Sequence, residues 1–248
     1  MHIDHAGDRG GHVLLLIHGG GVAGWMWKRQ VQQFSGRFHV VVPDLPGHGT
    51  SSAEDFASIG QTADELAGLL AGLRTGGVKI TVVGFSLGAQ IAVDLVSRYP
   101  GLVDSAVIVS ALAVPLALGT AAARAAGWLM PLARRRWFAR LQARALAIRD
   151  DMFDDYYRTT AAIGGRTMEA VLRGNAAFGI PDGWRRTATP ALVVVGQKEK
   201  AVMKRSAALL AEAHPSGRLL IVDGAGHGLP LQDPERFRTI LAAAAADR

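Results

Sequence analysis

Short apolar runs recur along the chain, and each ends at a small or polar residue. They are rich in Val and Ile and do not alternate with polar residues: His12–Ile17, Phe38–Pro43, Val78–Val83, Asp104–Val109, Ala191–Val195 and Arg218–Val222. Unbroken apolar runs of this length are typical of strands buried on both faces, as in a parallel sheet.

Helical periodicity fills intervals between these runs. The predicted helices are Thr62–Leu73, Ser86–Tyr99, Val202–His214 and Pro234–Ala246. In the first of them, Thr62 and Glu65 have the spacing of a capping box. The alternation of strand and helix predicts an α/β fold with a doubly wound, mostly parallel sheet.

One long interval breaks the alternation. Residues 111–189 contain no convincing strand pattern and are rich in arginine and aromatic residues. An insertion of this length is too long for an ordinary loop. We therefore predict a core made of residues 1–110 and 190–248, with a helical lid formed by residues 111–189.

Charge is concentrated in the same interval. The chain has 27 Lys and Arg against 21 Asp and Glu, a net charge of +6. Residues 111–190 hold twelve Arg, five Asp and one Glu, so the whole excess belongs to the predicted lid. A solvated arginine face is the simplest interpretation, attraction of an anionic substrate is a second, and a membrane-surface role is a weaker third. No motif indicates nucleic-acid binding.

The amino-acid composition excludes every kind of site that needs cysteine. There is no cysteine, which excludes disulfides, a thiolate nucleophile and zinc or iron–sulfur sites with thiolate ligands. Residues 1–11 lack the apolar run of a signal peptide, and Pro115, Arg124 and Pro131 interrupt the most apolar stretch. We expect a cytoplasmic protein without stable membrane insertion. Whether it forms a homodimer stays open.

The segment Gly84-Phe85-Ser86-Leu87-Gly88 follows a predicted strand and opens a predicted helix. In this context the G-x-S-x-G pattern indicates a serine nucleophile on a sharp turn, flanked by small residues and placed at a helix N-terminus. We predict Ser86 as the nucleophile.

The predicted base and acid follow later strands. His227 lies just beyond the last strand, and Glu199 follows Ala191–Val195. Loops after parallel strands meet at one sheet edge, so His227 can reach Ser86 as its base, and Glu199 can reach His227 as the orienting acid. Asp223 is too close in sequence to His227, Asp104 lies at the opposite edge, and residues 110–112 offer no carboxylate.

A glycine-rich turn after the first apolar run supplies a candidate oxyanion hole. We predict the N–H groups of Gly20 and Leu87 as its donors and His18 as a structural hydrogen-bonding residue. Gly19, Gly21 and Gly24 have the spacing of the G-x-G-x-x-G motif of dinucleotide-binding loops. The helix and the acidic ribose-binding residue that should follow this motif are poorly matched, which argues against nucleotide binding.

Taken in order, the motifs resemble those of the α/β-hydrolase superfamily. The matching stretches are residues 14–19, 42–51, 83–89 and 224–234, and the lid is unmatched. The resemblance implies a triad of Ser86, Glu199 and His227 with oxyanion donors Gly20 and Leu87. It also implies a structural turn over Asp44–Ser51, so that His48 is not catalytic. Glutamate stands where the family usually has aspartate, and the short amino end predicts about seven strands.

These parts predict hydrolysis of a carboxylic ester or a related acyl bond, such as a lactone or thioester. The alternatives on the same triad are a carbon–carbon bond hydrolase, a cofactor-free lyase or cyclase, and a ligand receptor. A serine nucleophile argues against haloalkane dehalogenase and epoxide hydrolase chemistry. We expect no metal or other cofactor.

An apolar pocket over Ser86 is expected to select a small, largely apolar substrate, which could be anionic. The aromatic residues predicted to line this pocket are Trp25, Phe85, Trp128, Trp137 and Phe178.

Overall fold

A single sheet organises the computed structural model, which describes residues 1–116, 134–146 and 148–246. Its strands are β1 (His2–Ala6), β2 (Val13–Ile17), β3 (His39–Asp44), β4 (Ile80–Phe85), β5 (Ser105–Val109), β6 (Ala191–Gly196) and β7 (Gly217–Val222). Their order is β1-β3-β2-β4-β5-β6-β7; β1 is antiparallel to β3, and the other neighbours are parallel. The predicted seven-stranded, mostly parallel sheet is confirmed.

Both faces of the central strands are buried, which explains their unbroken apolar sequences. In β2, Val13, Leu15 and Ile17 pack into the core on one face of the sheet. Leu14 and Leu16 pack into a second core on the other face. Since successive side chains of a strand point to opposite faces, a strand between two cores has no polar positions.

Helices cover the sheet on both sides. In the described residues they are α1 (Lys28–Phe34), α2 (Ile59–Leu73), α3 (Leu87–Arg98), α4 (Arg136–Ala145), α5 (Phe153–Ala162), α6 (Gly165–Ala177), α7 (Ala201–Ala213), α8 (Leu229–Gln232) and α9 (Pro234–Ala246). None of the helices in this part of the chain is long and apolar enough to cross a bilayer.

The predicted capping box is wrong. Helix α2 begins one turn earlier, and its cap is Ser58, whose Oγ accepts a hydrogen bond of 3.0 Å from the Gln61 N–H. Thr62 instead donates its hydroxyl to the Ser58 carbonyl from inside the first turn. Buried Ile59 packs into the core, and this packing favours the earlier start.

The interval between β5 and β6 contains helices α4, α5 and α6. No strand occurs in its described parts, residues 111–116, 134–146 and 148–189. Helices α4 and α5 pack against each other. This composition agrees with a helical insertion, while its action as a lid stays a prediction. Trp128 lies outside the described residues.

Candidate active site

The turn between β4 and α3 carries Ser86 in a backbone conformation that L-residues rarely adopt, with φ 53° and ψ −112°. The flanking glycines make this turn possible. A Cβ on Gly84 would lie 2.2 Å from the Gly88 carbonyl oxygen, and one on Gly88 would lie 2.4 Å from the Ile17 carbonyl oxygen. Helix α3 therefore packs too closely on β4 and β2 for any side chain at these positions.

His227 lies next to Ser86, although 141 positions separate them in sequence. It follows β7, and its Nε2 is 3.3 Å from Ser86 Oγ. Its Nδ1 is 2.7 Å from Glu199 Oε2. A carboxylate can only accept, so Nδ1 carries the proton and Nε2 is free to accept the Ser86 hydroxyl proton. The structure thus brings all three predicted triad residues together.

Glu199 is buried and fully hydrogen-bonded. Its Oε1 accepts from the Gly196 N–H at 2.9 Å and from Ser110 Oγ at 2.7 Å, while Oε2 faces His227. Burial by itself raises the pKa of Glu199, but the hydrogen bonds from His227, Gly196 and Ser110 hold that pKa below its usual value. The group is therefore a carboxylate at neutral pH, folded back over the end of β6 as a glutamate in place of aspartate must be.

Ser110 is the site residue that the sequence analysis missed. It follows β5 with a positive φ of 55°, and its N–H donates to the Val194 carbonyl at 2.9 Å. Residues 110–112 contain no carboxylate, and the structure has a hydroxyl donor there instead. Its position was the available signal in the sequence: Ser110 is a small polar residue directly after β5, and β5 pairs with β6, the strand that precedes Glu199.

The two residues that carry the predicted oxyanion donors, Gly20 and Leu87, pack against each other. A Cβ on Gly20 would be 3.8 Å from Leu87 Cβ and 3.1 Å from Val171 Cγ1, and one on Gly19 would be 3.3 Å from Ser86 Cβ. The loop after β2 therefore packs against the start of α3. The role of the Gly20 and Leu87 N–H groups as oxyanion donors stays a prediction.

His18 fixes this loop through hydrogen bonds of both its ring nitrogens. It is fully buried, its Nδ1 donates to the Gly19 carbonyl at 2.8 Å, and its Nε2 accepts from the Leu45 N–H at 2.9 Å. Burial, reinforced by nearby His48, lowers the pKa of His18 to about 3, so the ring is neutral. The Gly19 carbonyl and the Gly20 N–H share one planar peptide, so His18 also fixes the direction of the predicted donor.

His48 bonds within its own turn, where Nδ1 donates to the Pro46 carbonyl at 3.0 Å. Asp44 accepts from the N–H groups of Gly24 and Thr50, both at 2.7 Å. These bonds agree with the structural turn implied for residues 44–51.

Of the five predicted pocket residues, one lies next to the triad and a second is buried in the core. The ring centroid of Phe85 is 5.2 Å from that of His227. Phe178 is buried in the core on the face of the sheet that Leu87 also packs against, and no contact with the triad follows from this. Their contact with a substrate stays a prediction.

Two other residues are placed differently. Trp25 donates its indole N–H to Thr159 Oγ1 at 2.9 Å and lines a cavity of about 480 Å³ whose described lining includes Asp44 but not Ser86. Trp137 is 64% exposed rather than enclosed in a pocket. The reason is that α4 packs through Ala139 and Ala143, which turns Trp137 outward.

No group of three or more His, Cys, Asp or Glu in the part of the chain described by the structure has a metal-binding arrangement.

Comparison with known proteins identifies the family. Residues 14–240 match the Alpha/beta hydrolase family. The chain belongs to this family. As an alpha/beta hydrolase it is an enzyme of the hydrolase class, as the motifs predict.

Curated relatives of this alpha/beta hydrolase are similar over most of their length. A pimeloyl-[acyl-carrier protein] methyl ester esterase of Aeromonas hydrophila is 28% identical, covering 92% of this chain and 93% of the relative. An (E)-2-((N-methylformamido)methylene)succinate hydrolase of Acinetobacter baylyi is 25% identical, covering 94% and 90%.

Solved structures share the fold. A bromoperoxidase from Bacillus anthracis superposes with a TM-score of 0.85 at 20% identity, covering 99% of this chain and 95% of that one. A thermophilic esterase from Thermogutta terrifontis gives a TM-score of 0.79 at 23% identity, covering 98% and 91%.

Proposed function

We propose that this alpha/beta hydrolase cleaves a carboxylic ester or a related acyl bond through a covalent intermediate on Ser86. The observation that carries the proposal is the continuous hydrogen-bond chain from Ser86 Oγ through His227 to Glu199, with distances of 3.3 and 2.7 Å. This arrangement is that of a nucleophile, a base and an orienting acid.

The first half of the reaction forms the acyl-enzyme. Ser86 Oγ attacks the acyl carbon while its proton moves to His227 Nε2, and the carbonyl oxygen becomes an oxyanion that accepts hydrogen bonds from Gly20 and Leu87. The bond to the leaving group then breaks, and His227 returns the proton to the departing alcohol or thiol.

The second half reverses these roles with water. His227 removes a proton from water, the hydroxide attacks the acyl carbon, and the second oxyanion collapses to release the acid and the Ser86 hydroxyl. Glu199 stays ionised throughout and stabilises the imidazolium in both halves, since its pKa is held below the usual value.

One of the two relatives supports ester chemistry in particular, while both support hydrolysis. The curated relative from Aeromonas hydrophila is named as an esterase that acts on a methyl ester. We propose a small acyl substrate with a largely apolar body, bound next to Phe85.

A substrate panel tests the proposal. Nitrophenyl esters of increasing chain length, lactones and a β-diketone are offered to the wild type, to Ser86→Ala, and to Ser216→Ala as a control for an exposed serine. We expect a nitrophenol burst and turnover that only Ser86→Ala abolishes. Turnover of the β-diketone alone, or ligand-induced stabilisation with no turnover of any ester, contradicts ester hydrolysis.

A further inference from the structure

Helix α4 presents large apolar side chains to solvent. Trp137 is 64% exposed and Leu141 is 60% exposed. They are four positions apart and therefore adjacent on one face, because an α-helix turns about 100° per residue. Tryptophan and leucine exposed together on a surface helix indicate a surface that another phase or molecule covers.

The opposite face of α4 is the one that packs. Ala139 and Ala143 are buried, at 0% and 3% exposure, and they are also one turn apart. Ordinary amphipathic helices bury their large apolar residues and expose small or polar ones. Helix α4 packs Phe138 against Ile163 but leaves Trp137 and Leu141 in solvent, so the burial of these two side chains is not needed to fold the domain.

Arginines extend the apolar pair at both ends. Arg144 lies three positions after Leu141 and continues the same face, whereas Arg134 and Arg135 belong to the segment just before the helix, which begins at Arg136. All three are exposed, and in the described residues none is within salt-bridge distance of a carboxylate. We name these five residues, Arg134, Arg135, Trp137, Leu141 and Arg144, the α4 stripe.

The other arginines of α4 are held against α5. Arg136 pairs with Asp154 at 2.6 Å and lies 4.8 Å from the ring centroid of Tyr157. Arg140 lies 4.6 Å from the ring centroid of Phe153. The arginines on the stripe are therefore the ones available to an external partner.

Nearby acids do not cancel this charge. Asp154 is paired with Arg136, Asp155 with Arg158, and Asp151 with Arg149 at 3.0 Å. Asp150 is the remaining exposed carboxylate of this group. The stripe therefore keeps a local excess of positive charge.

We propose that the α4 stripe docks this enzyme on an anionic phospholipid surface. Arginine matches phosphate groups in charge and geometry, and tryptophan favours the boundary between headgroups and acyl chains. Helix α4 has ten residues, too few to span a bilayer, so the association is peripheral. Insertion of Trp137 and Leu141 below the phosphates explains their exposure together with the flanking arginines.

Vesicle flotation tests the proposal with the full chain. Vesicles of phosphatidylcholine alone are compared with vesicles of phosphatidylcholine and phosphatidylglycerol, at low and high salt. We expect binding to the anionic vesicles only, weakened by salt. Trp137→Ser with Leu141→Ser should abolish it. Arg134→Gln with Arg135→Gln and Arg144→Gln should weaken it by about fivefold per arginine.

Matched controls exclude a bulk effect. Leu219→Ser removes an exposed apolar side chain from β7, and Arg205→Gln removes an exposed charge from α7. Both should bind as the wild type does, and every variant should hydrolyse a soluble ester at the wild-type rate. Because this readout is vesicle binding, it is independent of the proposed chemistry.

Four outcomes overturn the proposal. They are absence of wild-type binding to anionic vesicles, equal losses in the control variants, a lower thermal midpoint of Trp137→Ser in the absence of vesicles, and conversion of a dimer to a monomer by the same variant. The third would show that the chain itself covers Trp137, and the fourth that a second copy does.

Discussion

Ser110 Oγ donates to Glu199 Oε1 at 2.7 Å, and both side chains are buried. This bond, together with the one from the Gly196 N–H, occupies one oxygen of the carboxylate and leaves the other aimed at His227. Ser110 thus positions the acid without touching the predicted nucleophile. It links the end of β5 to the loop after β6, two neighbouring strands of the sheet.

Replacing Ser110 by alanine should lower kcat by roughly tenfold with little change in KM. Hydrogen bonds to charged groups contribute about 1.5–3 kcal/mol, and losing this one frees the carboxylate to rotate. Steady-state kinetics on a nitrophenyl ester checks this. Ser105→Ala is the control, since Ser105 lies on the same strand and its hydroxyl pairs with Thr81. Equal kcat values for the two variants would show that Ser110 does not position Glu199 for catalysis.

A methyl group on Gly20 should impair the predicted oxyanion hole. The added Cβ would lie 3.1 Å from Val171 Cγ1, so either the loop or the Val171 side chain must move by a few tenths of an ångström, and a shift of the loop would displace the Gly20 N–H. We expect Gly20→Ala to lower kcat by about tenfold, less than the ~100-fold or more that full loss of a donor costs. Val171→Ala in the same chain should restore most of the rate, because it removes the atom that is crowded. Failure of this rescue would indicate that Gly20 matters for another reason.

The sheet and the triad were predictable for one physical reason. Parallel strands buried on both faces have recognisable apolar sequences, and the loops after them converge on one edge. That convergence was enough to associate Ser86, Glu199 and His227, and the structure brings their side chains together. The Gly84 and Gly88 positions added the close helix approach that defines the turn.

The remaining features depend on tertiary packing that sequence patterns do not encode. A lone serine after a strand, such as Ser110, has no motif that distinguishes a donor to a carboxylate from a surface hydroxyl. The sequence predicts Trp137 in the pocket because it belongs to the aromatic residues of the predicted lid over Ser86. The alanine face of α4 packs instead, and this choice depends on the neighbouring helix.

His18 should make folding stability depend on pH in the acidic range. Its pKa falls from 6.5 to about 3 in the folded state, so between these values the unfolded chain binds more protons. The contribution of neutral His18 to the free energy of unfolding is therefore fully present above pH 6.5. It is lost as pH falls from 6.5 toward 3, by up to about 1.4 kcal/mol per pH unit. Urea unfolding of the wild type and His18→Asn across this range should show a smaller slope for the variant. Parallel curves would contradict the assignment of this proton to His18.

Removing the charge of Glu199 should cost far more activity than stability. In Glu199→Gln the Gly196 N–H needs an acceptor, which favours the amide oxygen at the Oε1 position and turns the NH₂ toward His227. The NH₂ and the His227 Nδ1–H are then both donors, so either the ring changes tautomer or the pair separates, and Nε2 loses its role as acceptor for Ser86. By analogy with the aspartate-to-asparagine change in serine proteases, we expect kcat to fall by about 10³–10⁴-fold.

The carboxylate's pKa lies below its usual value, so the wild-type group is ionised across the neutral range and its own titration does not contribute to the deficit of Glu199→Gln there. Glu212→Gln, at an exposed position on α7, is the control for a charge change alone. Near-normal kcat in Glu199→Gln would mean that another carboxylate serves His227. Asp223, in the same loop, would then be the residue to replace, and loss of activity in Asp223→Asn but not in Glu199→Gln would reassign the acid.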